Sequence, residues 1–296
     1  MEADELAKWR HAGELARDAL QYGRKLIVAE GAVLSAVTRI EDYVRRNDGG
    51  LAFPVNIATD EEAAHWTPSS RTDRHFAVGE LVKLDVGVEI DGYIGDNALT
   101  VEIDGSRHDK LRAAALKGLE QVIELAAPGV TTGVLGSAVQ ATIEACGLRP
   151  VANLTGHGIK RYDLHSGLSI PSVGGHRGTA LRKDDVIAVE PFATNGAGRV
   201  GGKRNSNIYH LGSPRRVRDS AAAGLLERIR SEFHGLPFAE RWLHAFSDEP
   251  RKPLQRLLRS GAVGFYPVLD ELGHGMVAQA EHTLLLTSGG VEVLTA

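Results

Sequence analysis

The chain has 296 residues, with 43% hydrophobic residues, 24% charged residues and a formal net charge of −4. This composition is that of an ordinary globular protein, and it excludes the disordered and fibrous classes. The small net charge argues against a protein that coats nucleic acid, so no DNA partner is expected.

The N-terminal segment predicts two helices. Residues 4–29 repeat apolar side chains at helical spacing and lack the apolar core of a signal peptide. A second helix is predicted over 31–46, where Val33, Val37 and Ile40 share one face. The glycines after Asp48 end it, and a strand begins in LAFPVNI. No apolar run approaches the length of a membrane span, so no membrane partner is expected.

Residues 81–103 predict a β-hairpin that carries two aspartates. Asp91-Gly92 favours a type I′ turn, which pairs Ile90 with Tyr93 and Gly87 with Asp96. Asp85 lies two residues before Gly87 and therefore faces the same side of the ribbon as Asp96. Diagonal neighbours of this kind lie about 7–8 Å apart, a separation that suits a pair of bound cations.

The remaining chain predicts a similar order of elements followed by a polar helical region. Helices are predicted over 109–127 and 132–146, and strands around 151–155, 185–194 and 206–211. Two helices thus precede antiparallel strands twice, which indicates an α+β fold with antiparallel sheet. Residues 212–264 are polar and helical, with prolines at 214, 237, 250 and 253 as breaks. The single cysteine, Cys146, excludes an internal disulfide framework and fits a cytoplasmic location.

Three further ionisable groups could complete a site with the two aspartates. His157 and His165 follow a glycine-flanked turn, and either could serve. Glu190 and Glu281 adjoin apolar strands, where an unpaired carboxylate is costly to bury. No Lys or Arg lies at a spacing that would neutralise both glutamates. Metal cations shared between the two carboxylates would neutralise them. Such an oxygen-rich set suits Mn²⁺, Fe²⁺, Co²⁺ or Zn²⁺, and two clustered ions with a water perform hydrolysis.

The ordered set Asp85, Asp96, His157, Glu190 and Glu281, with AFPVNI, DGYIGD, TGHGI, VEPF and AQAEHT around it, resembles the type 2 methionine aminopeptidases of peptidase family M24. The resemblance runs from about residue 20 to the C-terminus, and the chain looks like the short archaeal form. It implies the pita-bread fold, with two pseudo-symmetric halves around the metals. The helical segment 212–264 resembles the type 2 insertion, here within one catalytic domain over 1–296.

The resemblance also implies a role for each site residue. Asp85 would bind one of two divalent metal ions (Co, Mn, Fe, Zn or Ni), Asp96 and Glu281 would bridge both, and His157 and Glu190 would complete the other shell. Glu190 would also take a proton from the attacking water, and His165 would stabilise the tetrahedral intermediate. His65 would contact the substrate backbone. The apolar pocket for methionine would contain Phe53, Leu164, Tyr266 and Leu269.

Two alternative functions and several partners follow from the same residues. An X–Pro dipeptidase of this fold usually has a sizeable N-terminal domain, but only 84 residues precede Asp85. A non-enzymatic binding protein of this fold has typically lost ligands, whereas this chain keeps five. The expected partner is the N-terminal methionine of nascent chains, and the expected state is a monomer. Transient ribosome contact would use the basic clusters Arg215, Arg216, Arg218 and Arg251, Lys252.

Overall fold

A computed structural model gives the structure of the protein and describes residues 1–213 and 217–296. Its helices are α1 (Ala3–Arg24), α2 (Val33–Arg46), α3 (Asp109–Leu125), α4 (Thr132–Ala145), α5 (Ser220–Phe233) and α6 (Arg251–Ser260), with a 3₁₀ helix at Glu240–Ala245. A reciprocal capping box between Glu2 and Glu5 begins α1. That helix ends at Arg24, before the predicted residue 29, and a turn at Lys25 and Leu26 follows it. Within the described residues, no helix has the length and apolar character to cross a bilayer.

The strands are mostly short and antiparallel. In chain order they are β1 (Gly50–Leu51), β2 (Asn56–Thr59), β3 (Glu62–Ala64), β4 (Leu81–Ile90), β5 (Tyr93–Glu102), β6 (Arg149–Pro150), β7 (Thr155–Ile159), β8 (Ser169–Pro171), β9 (Val186–Val189), β10 (Phe192–Thr194), β11 (Val200–Gly201), β12 (Asn205–Leu211), β13 (Phe238–Ala239), β14 (Val263–Pro267), β15 (Leu269–Glu271), β16 (Val277–Gln279), β17 (His282–Thr287) and β18 (Gly290–Val293).

The first half of the fold is built on the hairpin of β4 and β5. Its register pairs Ile90 with Tyr93 and Gly87 with Asp96, which confirms the sequence prediction. Asp91 and Gly92 have φ of 51° and 86°, as a type I′ turn requires. β1 and β2 pair with the edge of β4 away from β5, while α1 packs against the hairpin and α2 packs against α1, β1 and β2. The inner faces of these helices and β4 share one apolar core, which includes Val37, Ile40 and Leu84.

The second half repeats the arrangement of two helices and an antiparallel sheet. Its strand order is β18-β17-β9-β7-β8, and α3 and α4 pack into a second apolar core with residues of this sheet. The predicted strand 185–194 is interrupted at Glu190 and Pro191, because proline has no N–H for a ladder. The strand predicted at 151–155 is wrong in position, since Asn153 lies in a turn bonded to Val200 and the strand starts at Thr155. This duplicated architecture is the predicted pita-bread α+β fold.

The two halves meet along β5 and the segment that leads into β17. Ala98 and Glu281 form a β-bridge in which the N–H of Glu281 donates to the carbonyl of Ala98 at 3.0 Å. On either side, Asp96 bonds to Thr283, and Thr100 bonds to Gln279. The seam therefore brings residues between 179 and 187 positions apart onto one continuous surface.

Residues beyond β12 add a helical unit beside this double sheet. β12 pairs with β13 and β14, and the helices α5 and α6 enclose a separate apolar core with Leu226, Phe238 and Leu257. Asp219 caps α5 by accepting from the N–H of Ala222 at 2.9 Å. Because β12 also adjoins the central cleft through Ile208, this unit contributes to the walls of the site.

Candidate metal centre and substrate cleft

Five ionisable side chains from both halves meet at the inner end of one cleft. Asp85 and Asp96 come from the hairpin, and His157 lies on β7. Glu190 follows β9 directly, and Glu281 precedes β17. The cleft is lined by all five of these predicted metal ligands.

The distances within this group are those of a cluster that could hold a cation. Asp96, His157 and Glu281 each offer a ligand atom, and these atoms lie within 4.8 Å of one another. Nε2 of His157 lies 3.6 Å from Oδ2 of Asp96 and 3.8 Å from Oε1 of Glu190. Carboxylate oxygens and an imidazole nitrogen at such separations are a donor set for borderline divalent metals.

The electrostatics of the cluster call for a positive charge. Burial raises the pKa of Asp85 to about 7, although the nearby side-chain amide of Gln279 opposes the shift. Burial, together with repulsion from neighbouring carboxylates, holds the pKa values of Asp96, Glu190 and Glu281 well above their usual range. Burial and repulsion from His165 lower the pKa of His157 to about 3, so its imidazole is a neutral ligand.

Two aspartate oxygens without hydrogen-bond partners also indicate that the cluster requires a positive charge. Oδ1 of Asp85 and Oδ1 of Asp96 are buried without a hydrogen-bond partner. In the part of the chain that the structure describes, no Lys or Arg forms an ion pair with any of the four carboxylates. Buried acceptors of this kind are costly unless a donor or a cation meets them.

The outer part of the cleft carries the two other predicted histidines. The rings of His165 and His157 lie 4.4 Å apart, and the rings of His65 and Tyr266 lie 5.3 Å apart. Burial and repulsion from His165 lower the pKa of His65 to about 4, while a hydrogen bond with the backbone of Pro267 opposes this. His165 is exposed at the mouth, yet the surrounding protein lowers its pKa too. Both imidazoles are therefore neutral at pH 7.

An apolar surface borders the histidines. Phe53, Leu164 and Tyr266 line the cleft as predicted, and Ala64, Ile208 and Pro237 join them. Leu269 does not line it, because its backbone pairs with Ala64 and its side chain packs against a separate core beside Ala63 and Val277. Leu269 therefore lies next to the lining residue Ala64, and its contribution to the methionine pocket stays a prediction.

A family model for metallopeptidase family M24 matches residues 7–288. The chain belongs to metallopeptidase family M24. It is 40% identical over 298 aligned positions to the methionine aminopeptidase of Pyrococcus horikoshii, with 100% of both chains covered. Among solved structures, a methionine aminopeptidase from Thermotoga maritima is 24% identical with a TM-score of 0.73, over 100% of this chain and 98% of that one. A prolidase from Pyrococcus horikoshii has a TM-score of 0.62 at 18% identity, and only 62% of its chain is covered.

Membership of this metallopeptidase family implies divalent metal ions, and the acid–histidine cluster fits them chemically. The donor set contains only hard and borderline ligands. Its orphaned aspartate oxygens are acceptors that a cation would satisfy.

Several residues of this M24 site were missed in the sequence. Gln279 donates from Nε2 to Glu281 at 3.2 Å and to Glu190 at 3.5 Å, so it orients two of the carboxylates. Asn56 pairs in register with Asp85, and its Oδ1 is buried without a partner. Both residues lie within motifs that carry the family resemblance, Asn56 in AFPVNI and Gln279 in AQAEHT, and these motifs were the available signal. Ile208 and Pro237 carry no local signal, because their role depends on how β12 and β13 pack.

The basic clusters of this M24 chain are only partly described. Arg215 and Arg216 lie outside the described residues. Arg218, Arg251 and Lys252 are exposed. Nε of Arg251 lies 3.1 Å from Glu240, and Nζ of Lys252 lies 3.8 Å from Glu249, so acidic neighbours compensate part of this charge.

Proposed function

We propose that the chain is a methionine aminopeptidase that removes the initiator methionine from polypeptides with a small second residue. The observation that carries this proposal is the placement of one buried acid–histidine cluster next to a narrow apolar surface and two neutral histidines in a single cleft. The full-length similarity to the Pyrococcus horikoshii methionine aminopeptidase supports it.

Asp85, Asp96, His157, Glu190 and Glu281 would together hold two divalent ions, with Asp96 and Glu281 shared between them. When bound, such ions supply Lewis acidity, which polarises a carbonyl and lowers the pKa of a water. The carboxylate of Glu190 would accept the proton that the attacking water loses. Gln279 would keep Glu190 and Glu281 in orientation through its two N–H groups.

The remaining cleft residues would bind and position the peptide. The neutral imidazole of His165, at the mouth, would donate to the oxygen that gains charge at the scissile amide. The imidazole of His65 would contact the substrate backbone. Phe53, Leu164 and Tyr266, with Ile208 and Pro237, would enclose the methionine side chain, an apolar contact that favours methionine by a few kcal/mol at most.

The domain organisation and partners belong to the same proposal. Residues 1–296 would act as one catalytic domain, with 212–264 as an insertion, since β12 to β14 connect the two parts through one sheet. The enzyme would be a cytoplasmic monomer that acts on nascent chains. Transient ribosome contact would use the basic clusters Arg215, Arg216, Arg218 and Arg251, Lys252, of which the described Arg218 is exposed.

The alternative of an X–Pro dipeptidase is less well supported, because the aligned prolidase has more than a third of its chain outside the match. A direct test compares Met-Ala-Ser, Met-Glu-Ser and Gly-Pro as substrates of metal-loaded protein, with chelated protein as control. We expect rapid release of methionine from Met-Ala-Ser alone. Equal cleavage of Met-Ala-Ser and Met-Glu-Ser would refute the second-residue preference, and cleavage of Gly-Pro alone would establish the dipeptidase.

A further inference from the structure

His65 has a backbone conformation that its surroundings must impose. Its φ is 62°, in the left-handed region that residues with a Cβ atom adopt rarely. The residue also lines the cleft beside Tyr266. A strained backbone at a substrate-binding residue persists only when the flanking segments are held on both sides.

The chain before and after His65 is held in different ways. Before it, Ala64 pairs with Leu269 at the end of β3. After it, the carbonyl of Trp66 accepts from the N–H of Ile57 at 2.8 Å, and the N–H of Thr67 donates to the carbonyl of Ser206 at 3.1 Å. The Thr67 side chain is fully buried, and its hydroxyl donates to the carbonyl of Val55 at 2.8 Å.

A buried guanidinium from the helical unit completes this support. Nη1 of Arg241 donates to Oγ1 of Thr67 at 3.0 Å and to the carbonyl of Pro68 at 2.9 Å. Its Nη2 forms an ion pair with Glu41 of α2, a residue that is only 2% exposed. The other oxygen of Glu41 accepts from the indole of Trp242 at 2.8 Å. One side chain thus joins α2, the segment that follows His65 and the helical unit.

The same anchor adjoins the apolar wall of the cleft. Arg241 lies two residues after β13, and Pro237 lies directly before β13. β13 in turn pairs with Ile208 and Tyr209 of β12. Because Pro237 and Ile208 both line the apolar surface, a shift of this anchor would move that wall and the His65 segment together.

We propose that the Glu41–Arg241 pair is a positioning device that sets the width of the methionine pocket and the placement of His65. This inference rests on the proposed aminopeptidase function. The pair does not touch the acid–histidine cluster, so its loss should affect substrate binding and side-chain discrimination while metal binding is retained.

The test must separate an effect on the geometry of the cleft from an effect on the stability of the folded protein. Removal of one partner leaves a buried charge uncompensated and endangers folding, whereas replacement of both by apolar residues of similar volume is usually tolerated. The decisive variant is therefore the double change Glu41→Leu with Arg241→Met. Arg241→Lys is a second variant, because lysine retains the charge but lacks the fork that contacts Glu41 and Thr67 at once. Arg256→Met is the matched control, since it breaks the exposed Arg256–Asp219 pair in the same helical unit.

The measurements are kcat and KM for Met-Ala-Ser and for its leucine and norleucine analogues, together with metal content and melting temperature. In the double variant we expect KM for Met-Ala-Ser to rise about 10-fold and the preference for methionine over leucine to fall. Metal content should stay unchanged. Arg241→Lys should also raise KM, but by a smaller factor than the double variant. Arg256→Met should have the KM and the methionine preference of the wild type.

An unchanged KM and unchanged discrimination in both Arg241 variants, or loss of metal in either of them, would overturn the inference. If the double variant does not fold, Arg241→Lys decides by the same criteria. Failure of the wild type to cleave any methionyl peptide would refute the proposed function itself, so the two failures are distinguishable.

Discussion

The backbone of Asp96 and the hydroxyl of Thr283 exchange two hydrogen bonds across the seam between the halves of the fold. The N–H of Asp96 donates to Oγ1 of Thr283 at 2.8 Å, and Oγ1 donates in turn to the carbonyl of Asp96 at 2.8 Å. Thr283 is fully buried. A threonine from the second half thus fixes the strand that carries a proposed metal ligand of the first half.

Thr283→Val should therefore weaken both the seam and the metal site. Valine has the same shape but leaves the N–H and C=O of Asp96 without partners, at a cost of about 1–3 kcal/mol. We expect a lower melting temperature and weaker metal retention in a competition with a chelator. Thr283→Ser keeps the hydroxyl and is the control. A valine variant that matches the serine variant in both measurements would show that the exchange is dispensable.

Glu281→Ala and Asp96→Ala should each abolish activity and reduce the metal content. Each would remove a carboxylate that two ions share, so its loss disturbs both ions rather than one. Metal analysis and peptide hydrolysis on the same samples check this outcome. Full activity of either variant at saturating metal would contradict the shared assignment.

Removal of metal should make the stability depend on pH. Burial raises the pKa of Asp85 to about 7 and the pKa values of Asp96, Glu190 and Glu281 well above their usual range. The folded state then holds protons that the unfolded state releases, so stability is highest below the unfolded pKa values and falls as pH rises towards the folded ones. Below about pH 6.5 the lowered pKa values of His65, His157 and His165 act in the opposite direction, because the unfolded chain then holds protons that the folded histidines do not. Melting temperatures of chelated protein should thus decline from about pH 6.5 to pH 8, while those of metal-loaded protein decline less. A parallel pH dependence of the two forms would contradict this expectation.

His165→Ala should retain metal yet lose about 10²–10³-fold in kcat, the scale for one donor to a developing oxyanion. The ring of His165 stands beside His157 but is exposed at the cleft mouth, so the cluster does not depend on it. Loss of hydration beside the cleft wall lowers the pKa of His165 from the usual 6.5, while Asp163 opposes the shift. A fall of kcat at acid pH that is caused by protonation of His165 should therefore occur below pH 6.5. This fall should be absent from His165→Ala.

Metal analysis beside kcat and KM decides the role of His165. Loss of metal in His165→Ala would make it a ligand. A change confined to KM would make it a residue of the binding pocket, and either result would replace the role proposed here.

The hairpin register and the order of elements could be predicted from the sequence. Asp91-Gly92 specifies a turn with positive φ at both residues, and strand alternation then places Asp85 and Asp96 on one face. Helical periodicity found α1 to α4 to within a few residues at their ends. The end of α1 was missed because the apolar pattern continues past the turn at Lys25 and Leu26. The start of β7 was missed because the turn at Asn153 depends on contacts with the distant backbone of Val200.

What the sequence by itself determined is the set of chemical groups and the local elements that carry them. Five ligand-type side chains stand beside turn and strand signals that act over a few residues. The tertiary structure alone decided which of them converge and what surrounds them. Gln279 reaches two carboxylates, and Pro237 and Ile208 close the apolar wall. These outcomes depend on pairings such as Ala98 with Glu281, whose partners are far apart along the chain. Such pairings are set by the packing of whole sheets, and no short-range pattern encodes them.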